Sequence, residues 1–111
     1  MTYYLLQARL TTDSWRALLD KPHDRAPVVA EVIKAHGGKL HNYFFAFGDH
    51  DVVVLVEAPN NEAIMAAAVA VAGAGSVSGL KTTPLVTSSD AVDVFKASAA
   101  KPGAYVPPTN A

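Results

Sequence analysis

The stretch KLHNYFFAFGDHDVVVLVEAP, Lys39–Pro59, decides the fold. Two runs rich in aromatic and β-branched residues flank Gly48-Asp49, a dipeptide of hairpin type. The first run, Lys39–Phe47, carries Leu40, Tyr43, Phe44, Phe45 and Phe47. The second, Asp51–Ala58, carries Val52, Val53, Val54, Leu55 and Val56 without a break, and Pro59 and Asn60 end it. Neither run alternates apolar with polar. On a regular pleat Tyr43, Phe45 and Phe47 point one way and Leu40, Phe44 and Ala46 the other, while Val52, Val54 and Val56 oppose Val53 and Leu55. Both faces of this hairpin are therefore apolar.

The flanking segments complete the pattern. Tyr3–Leu10, YYLLQARL, reads as a first strand, stopped by Thr11, Thr12 and Asp13. Thr12 or Asp13 caps a short helix over Ser14–Asp20, which Lys21-Pro22 breaks. Asp24 caps a second helical piece with Pro27 in its first turn. Its Val28, Val29, Val32, Ile33 and His36 recur at helical spacing, and Gly37-Gly38 closes it. Beyond the hairpin, Asn60 or Asn61 caps an Ala-rich helix reaching about Ala74. Val77–Val86 is a fourth strand, with Pro84 suiting an edge or a strand end. Ser88, Ser89 or Asp90 caps a last helix reaching about Ala99, with Val92 and Phe95 on its inner face.

The order is strand, helix, strand, strand, helix, strand, plus a C-terminal helix. It predicts an α+β, ferredoxin-like βαββαβ fold with a four-stranded antiparallel sheet. Residues 1–101 form the domain, and residues 102–111 an extended Pro-containing arm. Both helices of such a fold lie on one face of the sheet. Leaving roughly 400 Å² of apolar sheet bare on the other would forgo about 10 kcal/mol. A second copy packed sheet to sheet, as in a dimeric α/β-barrel, covers it most simply. The alternative is that the C-terminal helix and arm fold back over that face.

Composition narrows the function. Of 111 residues, 50% are apolar and 17% charged, which excludes a disordered chain. Nine Lys and Arg against ten Asp and Glu leave a net charge of -1, giving no electrostatic footprint for nucleic acid or an anionic membrane. The absence of cysteine removes disulfides, thiolate metal sites and Cys nucleophiles. MTYYLLQARL lacks the layout of a secretory signal, and the apolar run Ala63–Ala74 is too short to span a bilayer, so a cytoplasmic protein is expected. No phosphate loop precedes a helix, no Gly-x-Ser-x-Gly elbow exists, and the aromatic residues lack the basic neighbours of an RNA-binding sheet.

Gly48-Asp49-His50-Asp51 is the densest polar cluster. It suits either an Asp–His general base or ligand anchor, or a plain turn in which Gly48 gives backbone freedom and Asp51 satisfies nearby N–H groups. A two-residue loop would pair Phe47 with His50 and point His50 and Asp51 to opposite faces, which favours the turn. His41 and Tyr43, two residues apart, share one face on a regular strand, with His41 opposite Val56; with His36 they would line a pocket between sheet and helices. No two histidines have a tight ligand spacing, so neither a metal nor a cofactor is expected. Trp15 reads as an apolar anchor. Gln7 and Arg9 are an odd polar pair within the first strand, able to bind a carboxylate or to meet Asp51 or Glu57. Glu57 itself reads as a solvated strand end.

Taken together, FAFGDHDVVVLVEAP (Phe45–Pro59), the opening YYLLQARLT, the glycine pair in HGGKL, the Ala-rich helix after EAPNN, the run KTTPLVT and the closing AYVPP resemble the GYD-domain family of small bacterial proteins. The resemblance covers nearly the whole chain. It implies a fold of the dimeric α/β-barrel type and no particular reaction. Gly48 and Asp51 match the family's Gly-Tyr-Asp motif, whereas His50 stands where the motif holds Tyr. An imidazole there still donates a hydrogen bond. The expected partner is a second copy of the chain, with a small apolar molecule as ligand. A cofactor-free enzyme with His50 or His41 as base, oriented by Asp49 or Asp51, and a purely structural assembly module remain the alternatives.

Overall fold

The computed structural model describes residues 1–110. Strands β1 (Thr2–Leu10), β2 (Lys39–Phe45), β3 (Val52–Ala58) and β4 (Val77–Leu85) form one sheet in the order β2-β3-β1-β4. Every neighbouring pair is antiparallel. Helices α1 (Thr12–Asp20) and α2 (Ala26–Ala35) join β1 to β2, and α3 (Asn61–Gly73) joins β3 to β4. This is the expected ferredoxin-like arrangement. β4 is an edge strand, which accommodates Pro84 opposite Tyr4.

Local chemistry explains the helix starts. Thr11, one residue earlier than expected, caps α1 by accepting from the Ser14 N–H. The Asp24 carboxylate accepts from the Ala26 N–H at 2.9 Å beside the first turn of α2, and Asn60 accepts from the Ala63 N–H at 2.9 Å to cap α3. The end of α2 is fixed by two glycines. Gly37 has φ +82°, and a Cβ on Gly38 would stand 2.4 Å from the Glu57 carbonyl oxygen and 2.9 Å from Ile33 Cγ2. Only a residue without a side chain lets the helix end approach β3 this closely.

The core lies between the helices and one sheet face. Tyr4, Leu6, Val54, Val56 and Ala58 are buried against Ile33, Ile64 and Ala67. The Tyr4 hydroxyl keeps its hydrogen bond by donating to Asn61 Oδ1 at 2.6 Å. The small side chains of α3 let the helix sit close, but they also leave Met65 and Val69 exposed.

Two irregularities change what the strands present. Opposite Gln7 and Arg9, β4 carries an extra residue at Gly79, whose φ of +59° is the conformation such a bulge requires. In β2, Leu40 pairs with Val56 and Asn42 with Leu55, so His41 is the extra residue. Leu40 consequently joins Tyr43 against the core instead of lying on the other face. The strand also ends at Phe45 rather than Phe47. The reversal occupies Phe47–His50 and is closed by the Ala46 N–H donating to the Asp51 carbonyl at 2.8 Å, with Phe47 exposed.

The last helix, α4 (Ser88–Ala99), is capped by Thr87 and buries none of its side chains. It makes no substantial contact with the sheet or the other helices. The molecule therefore measures 60 × 31 × 21 Å, and its radius of gyration is 18.1 Å; a compact chain of this size has about 13 Å. Irregular chain and a short 3-10 turn at Pro108–Asn110 follow. Among the described residues, no element of the chain folds back over the open sheet face.

Candidate functional site

The register places Tyr3, Leu5, Gln7, Val53, Leu55, Glu57, Asn42 and Phe44 on the face opposite the helices. Its centre is apolar, and Phe44 is 58% exposed. One polar cluster interrupts it. The bulge turns His41 to this side, where its Nε2 lies 2.6 Å from Glu57 Oε1. The Tyr3 ring stacks at 5.4 Å between centroids. His41 and Glu57 are each about a quarter exposed, at 25% and 23%. A carboxylate that accepts from one ring nitrogen fixes the tautomer of a neutral imidazole and leaves the other nitrogen as the acceptor, which is the arrangement of a positioned base.

This corrects two expectations. His41 and Tyr43 lie on opposite faces, because one extra residue between Leu40 and Asn42 reverses the alternation. His36 is exposed at the end of α2, so the three do not line a common pocket. Glu57 is not a solvated strand end but the partner of His41. Its signal in the sequence was a Glu and a His on paired strands, legible only once the bulge is placed.

The Gly48–Asp51 cluster divides between turn and rim. Asp51 Oδ2 accepts from the Leu10 N–H at 2.9 Å, and the Asp51 N–H donates to the Ala8 carbonyl at 2.9 Å, so this residue ties the turn to β1. Arg9 donates to the Asp49 carbonyl at 3.2 Å and meets neither Asp51 nor Glu57. Gly48 has no positive φ, and nothing within 4 Å would meet a Cβ there, so this turn does not need glycine for its backbone. His50 is half-buried beside Gln7, Phe47 and Val53 at the rim of the open face, with no carboxylate bonded to it.

Across the sheet, an apolar chamber of about 60 Å³ lies beneath the helices, walled by Leu6, Val32, Val54 and Ala67. It adjoins a more polar pocket of about 210 Å³ beside α1, and Val29, Tyr43, Val71 and Val77 line both. The Thr11 and Ser14 hydroxyls hold α1 over this pocket by donating to the Gly75 and Ser76 carbonyls at 2.9 and 2.7 Å. Burial raises the pKa of the Tyr43 phenol; the Arg25 charge opposes that rise and Asp24 adds to it. The Trp15 ring lies 6.4 Å from that of Phe45 between centroids, and both are exposed. Arg25, which lines the pocket, carries no signal in the sequence beyond its place before Pro27. Among the described residues no group of three His, Cys, Asp or Glu side chains gathers as a metal site requires. Nor is any helix there long and apolar enough to cross a membrane.

The GYD-domain model matches residues 4–95. The chain belongs to the GYD-domain family. Among solved structures, this GYD domain is similar to the Mycobacterium protein MtbAldR, with a TM-score of 0.53 and 16% identity over 78% of this chain and 52% of that one. At that identity the likeness is one of fold, and the chain spans about half of that protein's length. No curated protein matches it in sequence.

Proposed function

We propose that this GYD-domain protein is a homo-oligomeric, small-ligand-binding accessory module. Its unit is a dimer in which two open sheet faces pack together. One observation carries the reading: Tyr3, Leu5, Phe44, Val53 and Leu55 form an apolar face that the chain's own C-terminal segment leaves uncovered. Contiguous exposed apolar surface of this kind marks an interaction site on a soluble protein. The helix meant to cover it has the same need, since Val92, Val94 and Phe95 of α4 are exposed. A second copy satisfies both, by sheet-to-sheet contact and by α4 reaching over its partner. The ligand would be a small apolar molecule held beneath the helices, where the walls are formed almost wholly by aliphatic side chains.

Light scattering coupled to size exclusion tests the assembly. The full chain is expected at twice its monomer mass or a higher multiple at micromolar concentration. A chain ending at Thr87 is expected to associate more weakly. A monomeric full chain refutes the assembly. Native mass spectrometry of protein purified without refolding tests the ligand, through an added mass released on denaturation.

The His41–Glu57 pair supports a second reading, a cofactor-free enzyme acting between the two sheets. Glu57, rather than Asp49 or Asp51, would orient the base. If so, a co-purified molecule is converted on incubation with the protein, and His41→Asn stops the conversion without dispersing the oligomer.

A further inference from the structure

We propose that the pocket beside α1 binds a small amphipathic carboxylate, with Arg25 holding its head and the adjoining chamber beneath the helices taking its apolar tail. The proposal rests on the ligand-binding reading above but is independent of the oligomer, because every wall comes from one chain.

The head group follows from Arg25. It is half-buried at the start of α2 and lines the pocket. The one ion pair among the described residues is His41–Glu57, so this guanidinium has no directly paired carboxylate there, and Asp24 acts on the neighbouring Tyr43 only through its charge. Its neighbour His23 has Nδ1 2.7 Å from the Lys21 carbonyl and Nε2 3.1 Å from Arg25 Nη1. A carbonyl can only accept, so Nδ1 carries the proton, and Nε2 is left to accept from Arg25. His23 thereby acts as a positioning residue. It engages one guanidinium nitrogen and leaves the others for the paired hydrogen bonds that a carboxylate accepts. Asp24, the nearest acid in sequence, is exposed and directs its carboxylate at the Ala26 N–H.

The tail follows from the walls. Val29, Val71 and Val77 continue from the polar pocket into the chamber, so an apolar chain anchored at Arg25 passes onto aliphatic surface. The Tyr43 ring stands at the junction. The pocket, at about 210 Å³, and the chamber, at about 60 Å³, each exceed the room one water needs, about 10–15 Å³ on this measure. The chemistry thus selects an anion with a short hydrocarbon or aromatic tail over a bare anion or a neutral apolar molecule.

Isothermal titration of the full chain with hexanoate, octanoate, hexanol and acetate tests this. Hexanoate and octanoate are expected to bind about tenfold or more tightly than hexanol, as a charge-assisted pair should. Acetate is expected to show no measurable binding. Arg25→Gln should remove the advantage of hexanoate over hexanol, with Arg25→Lys intermediate, while Val71→Phe should weaken both ligands. Far-UV circular dichroism of each variant confirms that it folds. Equal affinity for hexanoate and hexanol overturns the anion site and leaves the apolar-ligand reading standing. No binding by any probe overturns the site, and an absence of co-purified mass in the native spectrum then removes the ligand reading with it.

Discussion

On the covered face of the sheet, Tyr4, Leu6, Val54 and Val56 are buried; on the open face their strand neighbours Tyr3, Leu5, Val53 and Leu55 are only partly so. The residue types are nearly the same. What differs is the layer above them: α2 and α3 on one side, nothing from this chain on the other. Burial here is decided by topology rather than by side-chain type. The apolar content of the open face exceeds what a single copy uses, and that excess is the physical basis of the proposed association.

Leu6→Ala and Leu55→Glu separate the two faces. Leu6→Ala should cost about 2–5 kcal/mol in urea unfolding, through lost transfer energy and a cavity beneath the helices. Leu55→Glu should leave the far-UV spectrum of a folded chain while shifting the scattering mass to the monomer. Its loss of stability should vanish on dilution, because the wild-type contribution at that site depends on protein concentration. If both substitutions cost the same at every concentration, the two faces do not differ in the way described.

Much of this was legible in the sequence. The doubled apolar hairpin gave away a sheet with two dry faces, and the Gly37-Gly38 and Asn60 signals bounded the helices on either side of it. What the pattern hid was register. In a strand that is apolar on both faces, an extra residue leaves no scar in the alternation, so nothing in LHNYFF betrays that His41 is the bulged position. That one residue moved Leu40 into the core, sent His41 away from Tyr43 and joined it to Glu57. The stand-off of α4 was equally hidden, because Val92 and Phe95 read as a core stripe whether the core belongs to the same chain or to another.

The glycines repeat the contrast on a smaller scale. Gly38 faces the carbonyl of Glu57 and the Ile33 side chain at the covered side, whereas Gly48 stands in open space at the rim. Gly38→Ala should therefore cost about 1–3 kcal/mol by forcing α2 away from β3. Gly48→Ala should stay within about 0.5 kcal/mol. Thermal unfolding of the two variants side by side measures the difference. A large loss at Gly48 would mean that its surroundings are filled in the working protein, which would locate the partner's contact at that turn.

The smallest effect probes how dry the covered face is at Tyr43. Burial favours its neutral phenol, so the folded state holds this proton to higher pH than the unfolded chain does. The contribution is complete below the ordinary tyrosine value, about pH 10, and is lost as pH rises toward the folded value. Between those two values the folded state binds more protons than the unfolded one, and stability falls with pH. Tyr43→Phe should flatten this alkaline decline. Arg25→Gln should push the phenol's ionisation higher still, because the guanidinium now opposes the rise. Urea unfolding against pH reads the first, and absorbance titration of the tyrosinates in Arg25→Gln against the unsubstituted chain, with Tyr43→Phe as the blank, reads the second. A Tyr43 that ionises at the ordinary value would show water reaching the junction of pocket and chamber, and with it the loss of the apolar wall on which a tail would rest.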